Sequence, residues 1–183
     1  MSAEATNILV VSDLHFGEEL LPGATTERRT AVELGARAFR EFLGYHAQRR
    51  LGGRPWRLVI AGDLFDFMSV VVPPTAELRA KTPDERRYGL DRSAATGVIR
   101  LQRICENQRD LLAEMVRFAA AGHYLDIIVG NHDIELLLPE VVAELKHQLR
   151  IAATLGRASG TGSWMVVVDV ADSPDLGAAK SYP

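Results

Sequence analysis

The sequence has little of what marks a secreted, membrane-spanning or nucleic-acid-binding protein. Its 183 residues include a single cysteine, Cys105, which cannot form an internal disulfide and therefore indicates a reducing compartment. No apolar run approaches the roughly 18 residues of a membrane span, and the first residues lack the basic and apolar regions of a signal peptide. The formal charge is −3, without the basic surplus of a duplex-binding protein. We expect a cytoplasmic protein without a transmembrane segment, and we do not expect nucleic acid as a partner.

The apolar content of the chain is sufficient for one globular domain. Hydrophobic residues make up 47% and charged residues 25% of the sequence, close to average usage. We therefore treat residues 1–183 as one domain, with a tail at 171–183. Prolines and charged residues interrupt the pattern at 68–93, which we interpret as an insertion loop or a lid. A solvated surface excursion explains that segment equally well.

Short apolar runs alternate along the chain with segments of helical period. The runs are rich in β-branched residues and predict buried strands at 8–11, 57–61, 124–129 and 164–170. Apolar residues at three- and four-residue steps predict helices over about 30–50, 101–118 and 136–150. Thr30 and Glu33 have the spacing of a capping box at the first helix. Strands separated by helices favour an α/β fold with largely parallel strands and flanking helices.

Polar side chains suited to binding a cation follow the first three predicted strands. They stand in the segments Asp13-x-His15, Gly62-Asp63-x-x-Asp66 and Gly130-Asn131-His132-Asp133. Because ligands of open α/β sheets bind beyond the carboxyl ends of the strands, we expect these side chains to gather at one edge. Mixed oxygen and nitrogen donors suit a divalent ion such as Mn²⁺, Fe²⁺ or Zn²⁺. The third segment is the most specific, since the other two patterns often occur by chance.

Four of these residues are candidate metal ligands. Asp13 and His15 are two positions apart, which would place both on one face of an extended strand and let them hold one ion. The Asp63 carboxylate can bridge two cations, because each oxygen has lone pairs to give. Asn131 offers an amide oxygen without adding negative charge.

His132 and Asp133 are candidates for acid–base chemistry. The His132 ring can donate a proton or a hydrogen bond to a phosphate oxygen. Asp133 is the next residue in the chain and can orient that ring. These two are therefore the predicted catalytic residues.

Taken in order, the three segments resemble the signature of the calcineurin-like metallophosphoesterases, over about residues 8–140. The residues around these segments are most similar to the branch of the family that contains UDP-2,3-diacylglucosamine pyrophosphatases. The resemblance implies an α/β/β/α sandwich with a dinuclear metal centre. It also implies hydrolysis of a phosphoester or phosphoanhydride by a metal-activated hydroxide. The partner would be a phosphorylated small molecule or a nucleotide-type substrate.

The same resemblance implies a separate role for each candidate residue. Asp13 and His15 would hold the first ion, Asp63 would bridge both, and Asn131 would hold the second. His132 and Asp133 would assist at the phosphate. Mn²⁺ is the favoured metal, with Fe²⁺, Zn²⁺ or Mg²⁺ as alternatives.

The sequence departs from the family in its later part. The family carries a Gly-His-x-His element near the end of the domain, and none of the five histidines here stands in that context. Only 50 residues follow Asp133, too few for the second half of the sandwich. We therefore expect the N-terminal part of an incomplete domain, with one ion firmly held instead of two. The alternative is a catalytically impaired fragment that acts as a non-enzymatic or binding module.

Overall fold

The computed structural model describes residues 6–155 and 168–169, in which all strands belong to one parallel sheet. The strands lie in the order β1 (Asn7–Val11), β2 (Trp56–Ala61), β3 (Tyr124–Ile128) and β4 (Val168–Asp169). The helices are α1 (Thr26–Ala47), α2 (Pro83–Tyr88), α3 (Ala94–Asn107), α4 (Arg109–Ala120) and α5 (Pro139–Leu155). Each neighbouring pair of strands is parallel, so the predicted α/β fold with a parallel sheet is confirmed.

One face of the sheet forms the hydrophobic core with the helices. Leu58 of β2 lies opposite Leu125 of β3 in the strand register, and both side chains are buried. Ile60 and Ile127 form the next buried pair along the same face. These residues belong to one continuous apolar cluster with side chains of α1, α3, α4 and α5. Burial of this face is the main source of the fold's stability.

The opposite face of the sheet is not covered in the same way. In β1, Ile8 is 65% and Val10 is 64% exposed. On this face the Arg57 guanidinium pairs with the Asp126 carboxylate across β2 and β3, at 2.7 Å. The prediction of strands buried on both faces is therefore wrong for β1. An unbroken apolar run does not specify how many faces of its strand are covered.

Two helix boundaries differ from the sequence prediction. Helix α1 begins at Thr26, because the Thr25 side chain accepts a hydrogen bond from the Arg28 amide at 3.3 Å and caps the helix. Thr30 lies inside α1, so the predicted capping box is wrong. The single helix expected over 101–118 is divided between α3 and α4 at Gln108, whose φ of −104° and ψ of 31° are not helical.

The 68–93 segment contains more order than its sequence suggested. Helix α2 is capped by Thr82 and Glu85, each of which bonds the backbone of the other. Arg100 of α3 holds both ends of the segment, since Nε donates to Val70 O at 3.0 Å and Nη2 donates to Leu90 O at 2.8 Å. The lid hypothesis stays a prediction.

Some sequence predictions fall largely outside the described residues. Of the strand predicted at 164–170, residues 168–169 form β4, and the remainder lies outside the described residues, as does the 171–183 tail. Within the described ranges, no helix combines the length and the apolar character needed to cross a membrane.

Candidate metal centre

Backbone hydrogen bonds tie together the three loops that follow β1, β2 and β3. The amides of Leu14 and His15 both donate to the carbonyl oxygen of Asp63, at 3.0 and 2.9 Å. The Phe67 amide donates to the His132 carbonyl at 3.2 Å and so links the second loop to the third. Because the strands are parallel and adjacent, the three loops meet beyond the same edge of the sheet.

Three of the predicted ligands have a left-handed backbone. Asp13, His15 and Asp63 have φ angles of 55°, 49° and 54°, and no other non-glycine residue in the described part of the chain has a positive φ. For most residues with a Cβ atom this conformation costs about 1–2 kcal/mol, and Asp and His adopt it more readily than most. Such conformations concentrate at functional sites, where the surrounding structure holds them in place.

The extended-strand argument for Asp13 and His15 is wrong, although the two side chains do approach each other. Strand β1 ends at Val11, and both residues lie in the left-handed loop beyond it. His15 Nε2 is nevertheless 4.0 Å from Asp13 Oδ1 and 3.9 Å from Asp63 Oδ2. The loop geometry, not a two-residue period, brings these groups together.

His132 joins this group from the third loop. Its backbone amide donates to Asp63 Oδ1 at 2.9 Å, and its ring meets the His15 ring edge-on with centroids 4.5 Å apart. One ligand atom each from His15, Asp63 and His132 lies within 4.8 Å of the other two, a spacing that suits a single cation. The structure therefore assembles two nitrogen donors and a carboxylate at one point.

The remaining predicted ligands lie at the solvent side of this group. The Asp13 side chain is 72% exposed, and Asn131 is exposed between Gly130 and His132. In the described residues neither Asp13 nor Asp63 is paired with a lysine or an arginine. Two carboxylates without a protein cation favour an added one.

Close packing of backbone against a side chain fixes the position of Asp63. A Cβ atom on Gly130 would overlap the Asp63 carboxylate and its backbone nitrogen. Gly62 has a φ of 91° and lies against the Gly130 backbone, where a Cβ would come within 3.3 Å of Gly130 Cα. Both glycines allow the second and third loops to touch.

Asp133 supports the loops and does not orient the His132 ring. Its buried carboxylate accepts hydrogen bonds from the backbone amides of Gly130 at 2.6 Å, Leu64 at 2.8 Å and Phe65 at 3.4 Å. Burial raises the pKa of Asp133, and the three amides oppose that rise. The predicted ring-orienting role is wrong because adjacent side chains on an irregular backbone point in different directions.

The contact to the His132 ring comes from Asp66. His132 Nδ1 lies 3.3 Å from Asp66 Oδ1. The nearly buried Asp66 carboxylate also accepts from the amides of Met68 and Ser69 and from the Ser69 hydroxyl, at 3.0, 3.2 and 2.6 Å. Asp66 stood in the second sequence segment without an assigned role, and its spacing gave no indication that it would reach His132.

A second group of ligand atoms includes a residue that the sequence pattern did not select. His15, Glu18 and Asp66 offer ligand atoms that also lie within 4.8 Å of one another. Glu18 begins a short 3₁₀ turn that follows Gly17. One indication of Glu18 was present in the sequence, namely an acidic residue close to the Asp-x-His segment. Acidic residues are too common for that proximity to identify a ligand.

The other histidines lie in structural positions. His46 packs its ring against Phe42, Tyr45 and Trp56. His123 is buried just before β3, and His147 is exposed on α5.

Comparisons of the chain with protein-family models, with curated proteins and with solved structures find no match. The resemblance to metallophosphoesterases is therefore a hypothesis drawn from the sequence segments. The loop geometry described above bears on it independently of any relative.

Proposed function

We propose that this protein is a metal-dependent hydrolase of phosphoesters or phosphoanhydrides, of the calcineurin-like metallophosphoesterase type. The observation that carries the proposal is the left-handed backbone of Asp13, His15 and Asp63. The sequence segments identify these residues as ligands by the donor chemistry of their side chains. The same residues have the unusual backbone conformation that concentrates at functional sites. Asp and His adopt this conformation more readily than most residues, and its recurrence at three predicted ligands in two neighbouring loops supports a functional site.

The donor set fits a divalent cation. His15 and Asp63 would hold it, with Asp13 and Asn131 available on the solvent side. Imidazole nitrogen with carboxylate and amide oxygen suits Mn²⁺, Fe²⁺ or Zn²⁺ better than a soft ion, and Mn²⁺ is our first choice. When bound, such a cation supplies Lewis acidity toward a phosphoryl oxygen and makes water a stronger nucleophile at neutral pH. We expect one firmly held ion per chain.

His132 would act on the substrate oxygen. Asp66 faces Nδ1 of the ring, so Nε2 is the nitrogen left for a bound group. We assign Nε2 to the leaving oxygen, because His15 already supplies a nitrogen to the cation. Asp133 would keep the third loop in place through its three backbone amides.

The proposal extends to the fold and to the substrate class. The face of the sheet that exposes Ile8 and Val10, and that also carries the Arg57–Asp126 ion pair, is the surface on which a second sheet of an α/β/β/α sandwich would pack. The proposed substrate class, a phosphorylated small molecule or a nucleotide-type substrate, comes from the resemblance of the sequence segments. The similarity to UDP-2,3-diacylglucosamine pyrophosphatases depends on the residues that flank the three segments.

An assay with aryl phosphates tests the proposal. We expect Mn²⁺-dependent release of p-nitrophenol from p-nitrophenyl phosphate or bis-p-nitrophenyl phosphate. Asp63→Asn should abolish it, and His132→Ala should lower kcat by about 100-fold or more. His147→Ala removes an exposed histidine on α5 and should leave the rate unchanged. No activity, or equal activity in Asp63→Asn, would favour the non-enzymatic module instead.

A further inference from the structure

The two nitrogens of the His15 ring have different surroundings. Nε2 faces the carboxylates of Asp13 and Asp63, at 4.0 and 3.9 Å. Nδ1 is buried and has no hydrogen-bond partner among the described residues. A neutral imidazole carries one N–H group and one lone pair, so the nitrogen that holds the proton cannot bind a cation. If Nε2 gives its lone pair to a cation, the proton lies on Nδ1, where a buried N–H group needs an acceptor.

Two carboxylates lie near the His15 ring and are the candidates for that acceptor. Glu18 and Asp66 each offer an oxygen in the group of atoms that includes a His15 nitrogen. Asp66 is already engaged by Met68, Ser69 and the His132 ring. The Glu18 carboxylate makes no hydrogen bond or ion pair within the described part of the chain.

The local turn directs Glu18 back toward His15. The Glu18 amide donates to the His15 carbonyl at 3.3 Å, which closes the turn between them. The neighbouring Glu19 is held elsewhere, because its carboxylate accepts from the Gly17 amide at 2.9 Å and from the side chains of Asn107 and Gln108. Glu19 fixes the turn, and Glu18 is left half-buried beside the ring.

A hydrogen bond to His15 explains the position of Glu18 better than a second cation does. His15 belongs both to the group with Asp63 and His132 and to the group with Glu18 and Asp66. One imidazole can bind two cations only as the imidazolate, which requires the neutral ring to lose its one N–H proton, and it does not readily do so. A carboxylate that accepts the Nδ1 proton needs no such loss.

We propose that Glu18 is a positioning residue that accepts the Nδ1 proton of His15 and thereby leaves Nε2 as the cation-binding nitrogen. The cation comes from the proposed function, whereas the hydrogen bond does not depend on it.

Nitrogen-15 NMR of the histidine rings in the metal-free protein tests the hydrogen bond. At mildly alkaline pH, where a free imidazole is neutral, the wild type should show His15 as the Nδ1–H tautomer. The signal is assigned by its loss in His15→Asn. Glu18→Gln should retain that tautomer, because the amide oxygen still accepts, and Glu18→Ala should lose it. A His15 tautomer that is the same in Glu18→Ala as in the wild type would overturn the proposal.

Calorimetric titration with Mn²⁺ tests the consequence for cation binding. Glu18→Ala should weaken Mn²⁺ binding about 10- to 100-fold, and Glu18→Gln should weaken it much less. Glu33→Gln makes the same charge change at an exposed position of α1 and should bind as the wild type does. If Glu18→Gln binds as poorly as Glu18→Ala while keeping the tautomer, Glu18 is a direct ligand and the proposal is wrong. A wild type that shows the tautomer but does not hydrolyse aryl phosphates would reject the proposed function alone.

Discussion

The backbone amide of His132 donates a 2.9 Å hydrogen bond to Asp63 Oδ1, and this bond joins the third loop to the second. It uses one oxygen of the carboxylate and leaves Oδ2 facing His15. Gly130, two residues before His132, lies directly against the same carboxylate. The position of Asp63 is therefore set by the backbone of another loop as well as by its own.

We predict that Gly130→Ala displaces Asp63. The added Cβ would overlap the Asp63 carboxylate and backbone, so the second and third loops must separate. The loss of stability should be about 1–3 kcal/mol, the usual cost of overpacking, and Mn²⁺ binding should weaken. Urea unfolding followed by circular dichroism and calorimetric Mn²⁺ titration measure the two effects.

A second glycine provides the control for that experiment. Gly35 lies in α1, and a Cβ atom there would meet nothing within 4 Å. Gly35→Ala should stabilise the protein by about 0.5–1 kcal/mol, because alanine is the better helix former. A Gly130→Ala protein that unfolds and binds Mn²⁺ like Gly35→Ala would show that the contact with Asp63 is not restrictive.

We predict that the protein loses stability as the pH falls below about 6.5, the ordinary pKa of histidine. His123 Nδ1 accepts from the Trp56 amide at 3.1 Å, so the ring proton lies on Nε2, 3.3 Å from Ala47 O. Burial lowers the pKa of His123, and it also lowers that of His46. Since the folded state holds these protons less tightly than the unfolded chain, this contribution is complete above pH 6.5. It is lost as the pH falls through the folded-state pKa.

The free energy of unfolding in urea, measured from about pH 8 to pH 5, tests whether stability falls on acidification. Each proton taken up on unfolding limits the slope of this free energy against pH to about 1.4 kcal/mol per pH unit. His123→Asn keeps an acceptor for the Trp56 amide and should flatten the profile. His147→Gln, at an exposed position, should not. Stability that rises on acidification over this range would contradict the assignment of His123 as a buried neutral ring.

We predict that removing Arg100 alone is more damaging than removing Arg100 and Glu135 together. Arg100 Nη1 pairs with Glu135 Oε1 at 3.3 Å, and both side chains are nearly buried. Arg100→Met would leave the Glu135 carboxylate with the more exposed Arg92, at 3.5 Å, and should cost about 3 kcal/mol. The double variant Arg100→Met/Glu135→Leu should recover part of this loss, because no uncompensated charge stays buried.

An exposed ion pair on α1 serves as the reference for this comparison. Arg37 and Glu41 lie 3.0 Å apart with both side chains more than two-thirds exposed. Arg37→Met should change the unfolding free energy by no more than about 0.5 kcal/mol. Equal effects of Arg37→Met and Arg100→Met in urea unfolding would refute the buried-pair argument.

The fold was predictable where a short segment carries its own pattern. The apolar runs located β1, β2 and β3 to within a residue or two, and their separation by helices indicated a parallel sheet. The break at Gln108 was not predictable, because the apolar period runs through it and its side chain bonds the distant Glu19 at 2.7 Å. Nor could the pattern show that Ile8 faces outward while Leu58 is buried, since helix placement decides which face of a sheet is covered.

The site was predictable in its residue types but not in its pairings. Donor chemistry correctly selected Asp13, His15 and Asp63, which the first two loops bring together. The partner of His132 was not predictable from adjacency, because Asp66 reaches the ring across loops while Asp133 turns toward backbone amides. Such contacts depend on the irregular backbone of each loop, which the sequence pattern does not specify.

The parallel order of the strands also determines at which stage of folding this site can form. Each strand pairs with one that is far along the chain, as Leu9 with Leu58 and Leu58 with Leu125. Such distant pairings close late and slowly during folding. We therefore expect the cation pocket to assemble only after β1, β2 and β3 have paired. A metal that needs all three loops should retard unfolding and leave the refolding rate nearly unchanged.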